Sequence, residues 1–503
     1  MILKTLPLFG LSMLAMASPA AARECAQSPG KILELCVSVE NGEARYQVTR
    51  GDVTVIAPSR LGLRFAGEAD PRFAAIADAE RSAVDTTWEQ PWGEQRLIRD
   101  NHNQLSVTLA GDTPLNRAVG VTFRLFDDGF GFRYDYRAIP AGQSVSVVAD
   151  HSQFRTVGAY QAWWYEGLGQ ERDEYLYKQT DARRVTLAET PLTLKGDNGL
   201  YLSFHEAALV DFPSMLLRGD GAGTYNAWLM PWPDGILAKK TGPFTTPWRT
   251  VLVGETPGAL ADSRITLNLN EPSKVPGIGQ WFKPGKYVGI WWEMHLEKST
   301  WGSGPKHGAN TANVKRHIDF AAKYGFEGVL VEGWNEGWDG DWIANGDKFS
   351  FTRAYPDFDL AEIMRYGKAK GVKLIGQSTL ATQLAEYVVI YSPIQMAADL
   401  PENYEARPDA FRFSRDVPAD WEQSRTLQGA IGDEETRELR QPLAFLAPGA
   451  RYEAQIYADG PAADYRSNPG ALTIEKRMVT SGDTLTLRLA PGGGTAIRFR
   501  RVD

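Results

Sequence analysis

A chain of 503 residues with 43% hydrophobic and 23% charged residues and a formal net charge of -8 has the composition of an ordinary globular protein, not of a disordered one. Its 62 acidic residues outnumber the 54 basic ones and no Lys/Arg-rich run occurs, which excludes the basic footprint of a nucleic-acid binder. The length calls for several domains, each burying its own core.

At the start, Lys4 is followed by the apolar run Leu6 to Ala17 and then by Ser18, Pro19, Ala20, Ala21 and Ala22. This reads as a secretory signal over residues 1–22, cleaved after Ala22, and it predicts export across an inner membrane to the periplasm. No other long apolar run occurs, so no transmembrane segment is expected. Cys25 and Cys36 are the only cysteines. In an oxidising compartment an even pair this close in sequence predicts one disulfide. A lipid anchor on Cys25 is disfavoured by Arg23 and Glu24 before it, and a metal site would need more ligands than two thiols.

From about residue 30 to 270, strand follows strand with turn signals between. Val121, Phe123 and Leu125 alternate on one side of Asp127-Asp128-Gly129 and are answered by Phe130, Phe132, Tyr134 and Tyr136, a β-hairpin pattern. Further alternation at Gln104 to Leu109, Val185 to Leu194 and Ile265 to Leu269 predicts a large antiparallel β-sandwich over 23–280. Pro272, Pro276, Gly277, Gly279, Pro284 and Gly285 then interrupt any regular element.

Beyond them the pattern changes. Tyr287 to Trp292 reads as a strand, and Val314, Ile318 and Ala321 as a helix stopped by Gly325. Gly328 to Val331 is a second strand, and Asp359 with Glu362 forms a capping box for a helix carrying Leu360, Ile363 and Met364 and ending at Gly371. Val372 to Ile375 is a third strand, Ser378 caps a further helix, Ile394 to Ala397 is a fourth strand, and a helix follows over Asn403 to Phe413. Strand and helix alternate as in a parallel (β/α) barrel, whose chemistry sits in the loops after the strands. A full barrel takes about 250 residues, so the segment 281–420 predicts an incomplete (β/α) TIM-type barrel. The chain is β-rich again over 421–503, with strands at Tyr452 to Tyr457, Thr484 to Leu489 and Thr495 to Phe499, which predicts a small C-terminal β-sandwich.

The first barrel strand runs into Trp291-Trp292-Glu293-Met294-His295 and the second into Glu332-Gly333-Trp334-Asn335-Glu336. Carboxylates accept sugar hydroxyls, indoles cover the apolar face of a pyranose, and an amide both donates and accepts. Trp292, Glu332, Trp334 and Asn335 are therefore candidate substrate-binding residues for an oligosaccharide. Glycosidic cleavage uses two carboxyl groups, and Glu332 and Glu293 are the candidate pair. Against this stands the ordinary use of strand-end carboxylates, which cap helices and pair with arginine. No phosphate loop, zinc helix or nucleophile elbow competes. The six histidines are scattered, and each reads as structural or exposed.

A set of motifs carries a resemblance: Trp163-Trp164 with Glu174-Tyr175-Leu176-Tyr177, Tyr201-Leu202-Ser203 through His205-Glu206-Ala207, Val288-Gly289-Ile290-Trp291-Trp292, Val331-Glu332-Gly333-Trp334-Asn335, Tyr355-Pro356-Asp357-Phe358-Asp359, Tyr391-Ser392-Pro393 through Asp399, and Pro491-Gly492-Gly493-Gly494. In order and together they resemble glycoside hydrolase family 97. The resemblance implies an N-terminal β-sandwich, a catalytic (β/α) barrel and a C-terminal β-sandwich acting on α-glucosides or α-galactosides with calcium. It implies that Glu174 lends a carboxylate to calcium and that Trp292, Glu332 and Trp334 surround the sugar pocket. It also implies a departure. Gly376-Gln377 runs straight into Ser378-Thr379-Leu380, which matches the helix before the last barrel strand. The family's segment with a His-Glu pair and later glutamates, its acid, base and most calcium ligands, has no counterpart. A shorter gap falls between Leu427 and Gly432.

Overall fold

The computed structural model describes residues 23–167, 175–341, 344–345, 348–350, 352–376, 394–397, 399–426 and 435–502. The expected signal segment, Glu174, the helix expected from Ser378 and the gap near Leu427 lie outside them. The chain divides into two compact units, residues 23–86 with Arg99–Glu271, and Thr87–Ile98 with Pro272–Asp503. Among the described residues no helix is long and apolar enough to cross a membrane.

In the first unit two antiparallel sheets face each other. One contains Arg23–Gln27, Glu34–Glu40, Glu43–Arg50, Val53–Arg60, Gln153–Arg155, Thr224–Leu229, Met215–Gly219 and Leu187–Ala188, in that spatial order. The other is built around Val119–Phe126 and Gly129–Asp135, where Val121 pairs with Tyr134, Phe123 with Phe132 and Leu125 with Phe130, as the alternation requires. Side chains of the two inner faces meet in one core: Tyr46 lies 5.1 Å from Phe132 and Phe154 lies 5.4 Å from Phe204. Cys25 and Cys36 are cross-strand partners and are disulfide-bonded.

Two expected strands differ. Ile265–Leu269 is one turn of helix, because a period of two over five residues also contains the i, i+4 pair of a helix face. Ile265 and Leu269 are buried against Phe126 and Trp248 while Leu267 points outward. Val185 to Leu194 is not one strand: Leu187–Ala188 belongs to the first sheet and Leu192–Gly196 to the second, with Pro191, which has no N–H to give a ladder, at the crossing.

One ion cluster is sealed into this sandwich. The Arg249 guanidinium donates to Glu206 Oε2 at 2.7 Å and to Asp150 Oδ2 at 2.9 Å, and the three side chains are 2%, 5% and 1% exposed. Burial pulls the guanidinium down, but the two carboxylates outweigh it and hold its pKa above the ordinary arginine value. Glu206, part of the His205-Glu206 motif, is thereby a structural carboxylate.

The second unit holds a four-stranded parallel sheet: β1 (Gly285–Ile290), β2 (Gly328–Val331), β3 (Lys373–Gly376) and β4 (Ile394–Ala397), in the order β3-β2-β1-β4. The fourth strand in sequence thus pairs with the first and not with the third. That is the place of a last barrel strand, and among the described residues nothing joins β3 to β4 to close a ring. After β1 comes the one-turn helix α1 (Trp292–His295), then α2 (Thr311–Tyr324) and α3 (Leu360–Lys370). Asn310 caps α2 and Gly325 ends it at φ +75°. Asp359 accepts from Glu362 N at 2.9 Å and Gly371 ends α3 at φ +74°. Val314, Ile318, Ala321 and Ile363 are buried against Val288, Ile290, Val329 and Val331, whereas Met364 faces outward. The single helix expected over Asn403 to Phe413 is two, α4 (Pro401–Ala406) and α5 (Pro408–Asp416), because Pro408 cannot continue the hydrogen-bond ladder.

The C-terminal part of this unit has a separate core beneath Tyr452–Asp459, Leu472–Val479, Thr484–Leu489 and Thr495–Arg501. Its Pro491–Gly494 turn closes over Asp459, which accepts from Ala490 N at 2.8 Å. A Cβ on Gly493 would stand 2.0 Å from the Asp459 carboxylate, so a larger residue there would have to displace it.

His317 in α2 is 0% exposed, its Nδ1 faces Asn313 O at 3.0 Å and its Nε2 has no partner. Burial lowers its pKa to about 4, since a proton on Nε2 would be a buried charge without an acceptor. The neutral ring therefore contributes stability above about pH 6.5 that is lost as pH falls toward 4, a change of about 3 kcal/mol. The urea midpoint of the chain is expected to drop more between pH 7 and pH 4.5 than that of His317→Leu. Equal drops in the two proteins would refute this assignment.

Candidate active site

The carboxyl ends of β1 and β2 place Trp291, Trp292, Glu332 and Trp334 side by side, since Ile290 and Val331 are register partners. Gly289 makes room for this end of β1: a Cβ there would meet Met396 Cε at 2.2 Å and Trp291 Cδ1 at 3.0 Å. Three indoles and an imidazole gather at the strand ends. His295 lies 5.0 Å from Trp291 and 4.9 Å from Trp301, both edge-on, and Trp291 and Trp292 are 5.4 Å apart. Trp292 is 37% exposed and presents an open surface.

Glu332 is partly buried beside this group, and its Oε2 accepts from Trp301 Nε1 at 2.9 Å. Burial raises its pKa above the ordinary glutamate value, opposed by the Trp301 hydrogen bond. The Tyr287 hydroxyl on β1 is also pushed up, by burial and then by the Glu332 charge.

The other candidates stand differently. Glu293 is not an open strand-end carboxylate: it sits inside α1, 8% exposed, with Oε1 bonded to Asn313 Nδ2 and Oε2 3.6 Å from Arg316. It lies in the one-turn helix after β1 and ties α1 to α2. Asn335 is fully buried, donating to Ser350 O at 2.9 Å and accepting from Trp338 Nε1 at 3.1 Å, so each end of its amide is engaged within the protein. Trp334 is 6% exposed and packs 5.6 Å from Phe358 within the core. Its face is covered, so it supports the site from behind. Glu336 pairs with Arg353 at 3.1 Å, and Asp339 accepts from Ser303 N at 2.7 Å.

Two residues that sequence reasoning passed over belong to the site. Trp301 lies 31 positions from Glu332 and carries its hydrogen bond. His307, one of six scattered histidines, reaches Asp357 and the Gly333 carbonyl. Neither has a local pattern of its own; only the meeting of loops in space reveals them.

Comparison with known proteins bears on the whole chain. Residues 26–272 match the glycosyl-hydrolase 97 N-terminal family, 291–400 glycoside hydrolase 97, and 420–500 the glycosyl-hydrolase 97 C-terminal family described as oligomerisation. A glycoside hydrolase family 97 enzyme from Pseudoalteromonas sp. strain K8, in complex with acarbose, superposes with a TM-score of 0.87 at 35% identity over 95% of this chain and 100% of that one. The chain belongs to glycoside hydrolase family 97. A single-substitution variant of the same Pseudoalteromonas enzyme, in complex with panose, superposes at 0.86 with 34% identity over the same shares. A retaining alpha-galactosidase of Bacteroides thetaiotaomicron is 22% identical, covering 90% of this chain and 94% of that one. That alignment runs over 646 residues, more than the 503 of this chain, so the relative has stretches with no counterpart here. This glycoside hydrolase thus has the family's three-part architecture, with the β-sandwich, the (β/α) part and the C-terminal part read in the sequence.

Calcium, implied by the resemblance, finds no fit in the described residues. No group of three His, Cys, Asp or Glu side chains converges among them. The carboxylates around the strand ends are held by Asn313, Arg316, Arg353, Ser303 and His307. Calcium takes six to eight oxygens, more than these engaged groups offer.

Proposed function

We propose that this family 97 glycoside hydrolase is exported to the periplasm and takes the terminal α-glucosyl unit of an oligosaccharide at Trp292 and Glu332, with hydrolysis much slower than in relatives with a complete barrel. One observation carries the reading: Glu332 is a partly buried carboxyl at a parallel strand end, in a cluster of indoles of which Trp292 is exposed, while its strand-end neighbours are engaged elsewhere. An indole face covers the apolar side of a pyranose and a carboxyl bonds its hydroxyls. Cleavage asks for a second carboxyl to activate water or attack directly, and the engagement of Glu293 by Asn313 and Arg316 speaks against it in that role. The choice of glucoside over galactoside follows the greater likeness to the enzyme bound to acarbose and panose than to the α-galactosidase. Export follows from the leader-like residues 1–22.

The test is panose binding by calorimetry together with release of p-nitrophenol from the α-glucoside and the α-galactoside. Panose is expected to bind, and Trp292→Ala to weaken it about tenfold, or about 1.4 kcal/mol. Turnover of the α-glucoside is expected to fall about 100-fold or more below the Pseudoalteromonas enzyme. Turnover equal to that enzyme would overturn the slow-hydrolysis reading, and a preference for the galactoside would overturn the sugar.

A further inference from the structure

We infer that His307 is a positioning residue for Glu332, and that the His307–Asp357 pair fixes where the Glu332 carboxylate stands. This deepens the function proposed above and rests on it for the role of Glu332.

Three loops meet at one buried ring. His307 lies between α1 and α2, Asp357 just before α3, and Gly333 directly after Glu332. The imidazole side chain is 1% exposed. Its Nδ1 lies 2.9 and 2.8 Å from the two Asp357 oxygens, and its Nε2 lies 2.9 Å from Gly333 O. The ring spans from the Asp357 carboxylate to the Gly333 carbonyl, each within hydrogen-bond distance of one of its nitrogens, and holds the two loops at a set distance. Asp357 is itself tied down, since its backbone carbonyl accepts from Thr311 N at 3.0 Å and from Thr311 Oγ1 at 2.8 Å. Tyr355 closes the ring's flank at 5.2 Å.

The consequence reaches Glu332 through one peptide. Gly333 has φ +78°, and a Cβ there would stand 2.7 Å from Trp301 O, so the turn is pressed against Trp301. The same Trp301 donates its indole N–H to Glu332 Oε2. With the Gly333 carbonyl pinned by His307 on one side and Trp301 packed on the other, the Glu332 carboxyl has one place to stand. If the ring is removed, the Gly333 peptide is free to turn and the Trp301 contact is no longer enforced.

The indole of Trp301 reports on this directly. In the full chain labelled with 15N-tryptophan, the Trp301 Nε1–H resonance, assigned by its loss in Trp301→Phe, is expected to titrate with Glu332 and to stop titrating in Glu332→Gln. Tyr287, His295 and the His307–Asp357 pair itself are titratable groups near this contact, and His295→Gln removes one of them from the curve. In His307→Leu the midpoint is expected to fall toward that of an exposed glutamate, about 4.3. His307→Gln, which keeps an N–H for the Gly333 carbonyl, is expected to hold it near the wild-type value. An unchanged midpoint in folded His307→Leu, or a wild-type resonance that does not respond to pH, overturns the proposal. Should His307→Leu fail to fold, Asp357→Asn reads the same contact and is expected to shift the midpoint in the same direction. Panose binding is measured beside it: a wild-type chain that ignores panose sinks the sugar reading, while the resonance still judges the positioning.

Discussion

Replacing Arg249 by methionine is expected to lower the thermal midpoint of the first unit by on the order of 10 °C, from a loss of about 3–5 kcal/mol. The cause is what remains behind. Asp150 and Glu206 are 1% and 5% exposed, and without the guanidinium they face each other as buried carboxylates with no counter-charge. Each keeps one hydrogen bond, Asp150 Oδ1 from Ser152 N at 2.9 Å and Glu206 Oε1 from Met215 N at 3.0 Å, which is too little for an ion out of water. Adding Glu206→Gln to Arg249→Met is expected to recover part of the loss, because one of the two stranded charges is then gone. Calorimetry of the full chain measures both. A shift of a degree or so in the single variant would mean that water reaches the cluster, against its exposure in the structure.

That cluster also shows what a single sequence conceals. Asp150, Glu206 and Arg249 are separated by up to 99 positions and come from different strands, so no spacing announces them. The hairpin over Val121 to Tyr136, the Asp359 cap of α3 and the helix stops at Gly325 and Gly371 were legible because each is decided within a few residues, although the reciprocal half of the expected capping box is absent, the Asp359 N–H going to Thr311 Oγ1 instead of Glu362. The parallel strands were legible too, as short apolar runs between helical patterns. Their order was not, because pairing β4 with β1 is a long-range choice. The same divide runs through the site. Trp292 and Glu332 follow from the ends of the strands they come after, Trp292 opening the helical turn that the sequence reads as strand, whereas Glu293 and Asn335 lie beside them and turn inward, Glu293 to Asn313 and Asn335 to Ser350 and Trp338. His307 and Asp357 are 50 positions apart, and their pairing exists only once α2 and α3 have docked.

The second large effect is expected at Glu332. Glu332→Gln conserves size and leaves an oxygen for the Trp301 N–H, so the fold and the indole cluster are expected to persist. It removes the ionisable proton. Burial keeps the Glu332 carboxyl protonated to higher pH than an exposed glutamate, the state that can protonate a departing glycosidic oxygen. Any hydrolysis that uses this proton is therefore greatest below the raised pKa and declines as pH rises through it. In Glu332→Gln the residual turnover of p-nitrophenyl α-glucoside is expected to fall by about 10²–10⁴ and to lose that decline, whereas panose affinity falls only about tenfold. If instead Glu332→Gln left both rate and pH profile unchanged while panose still bound, the carboxyl would be a sugar contact alone. The short barrel would then owe its residual hydrolysis to another group.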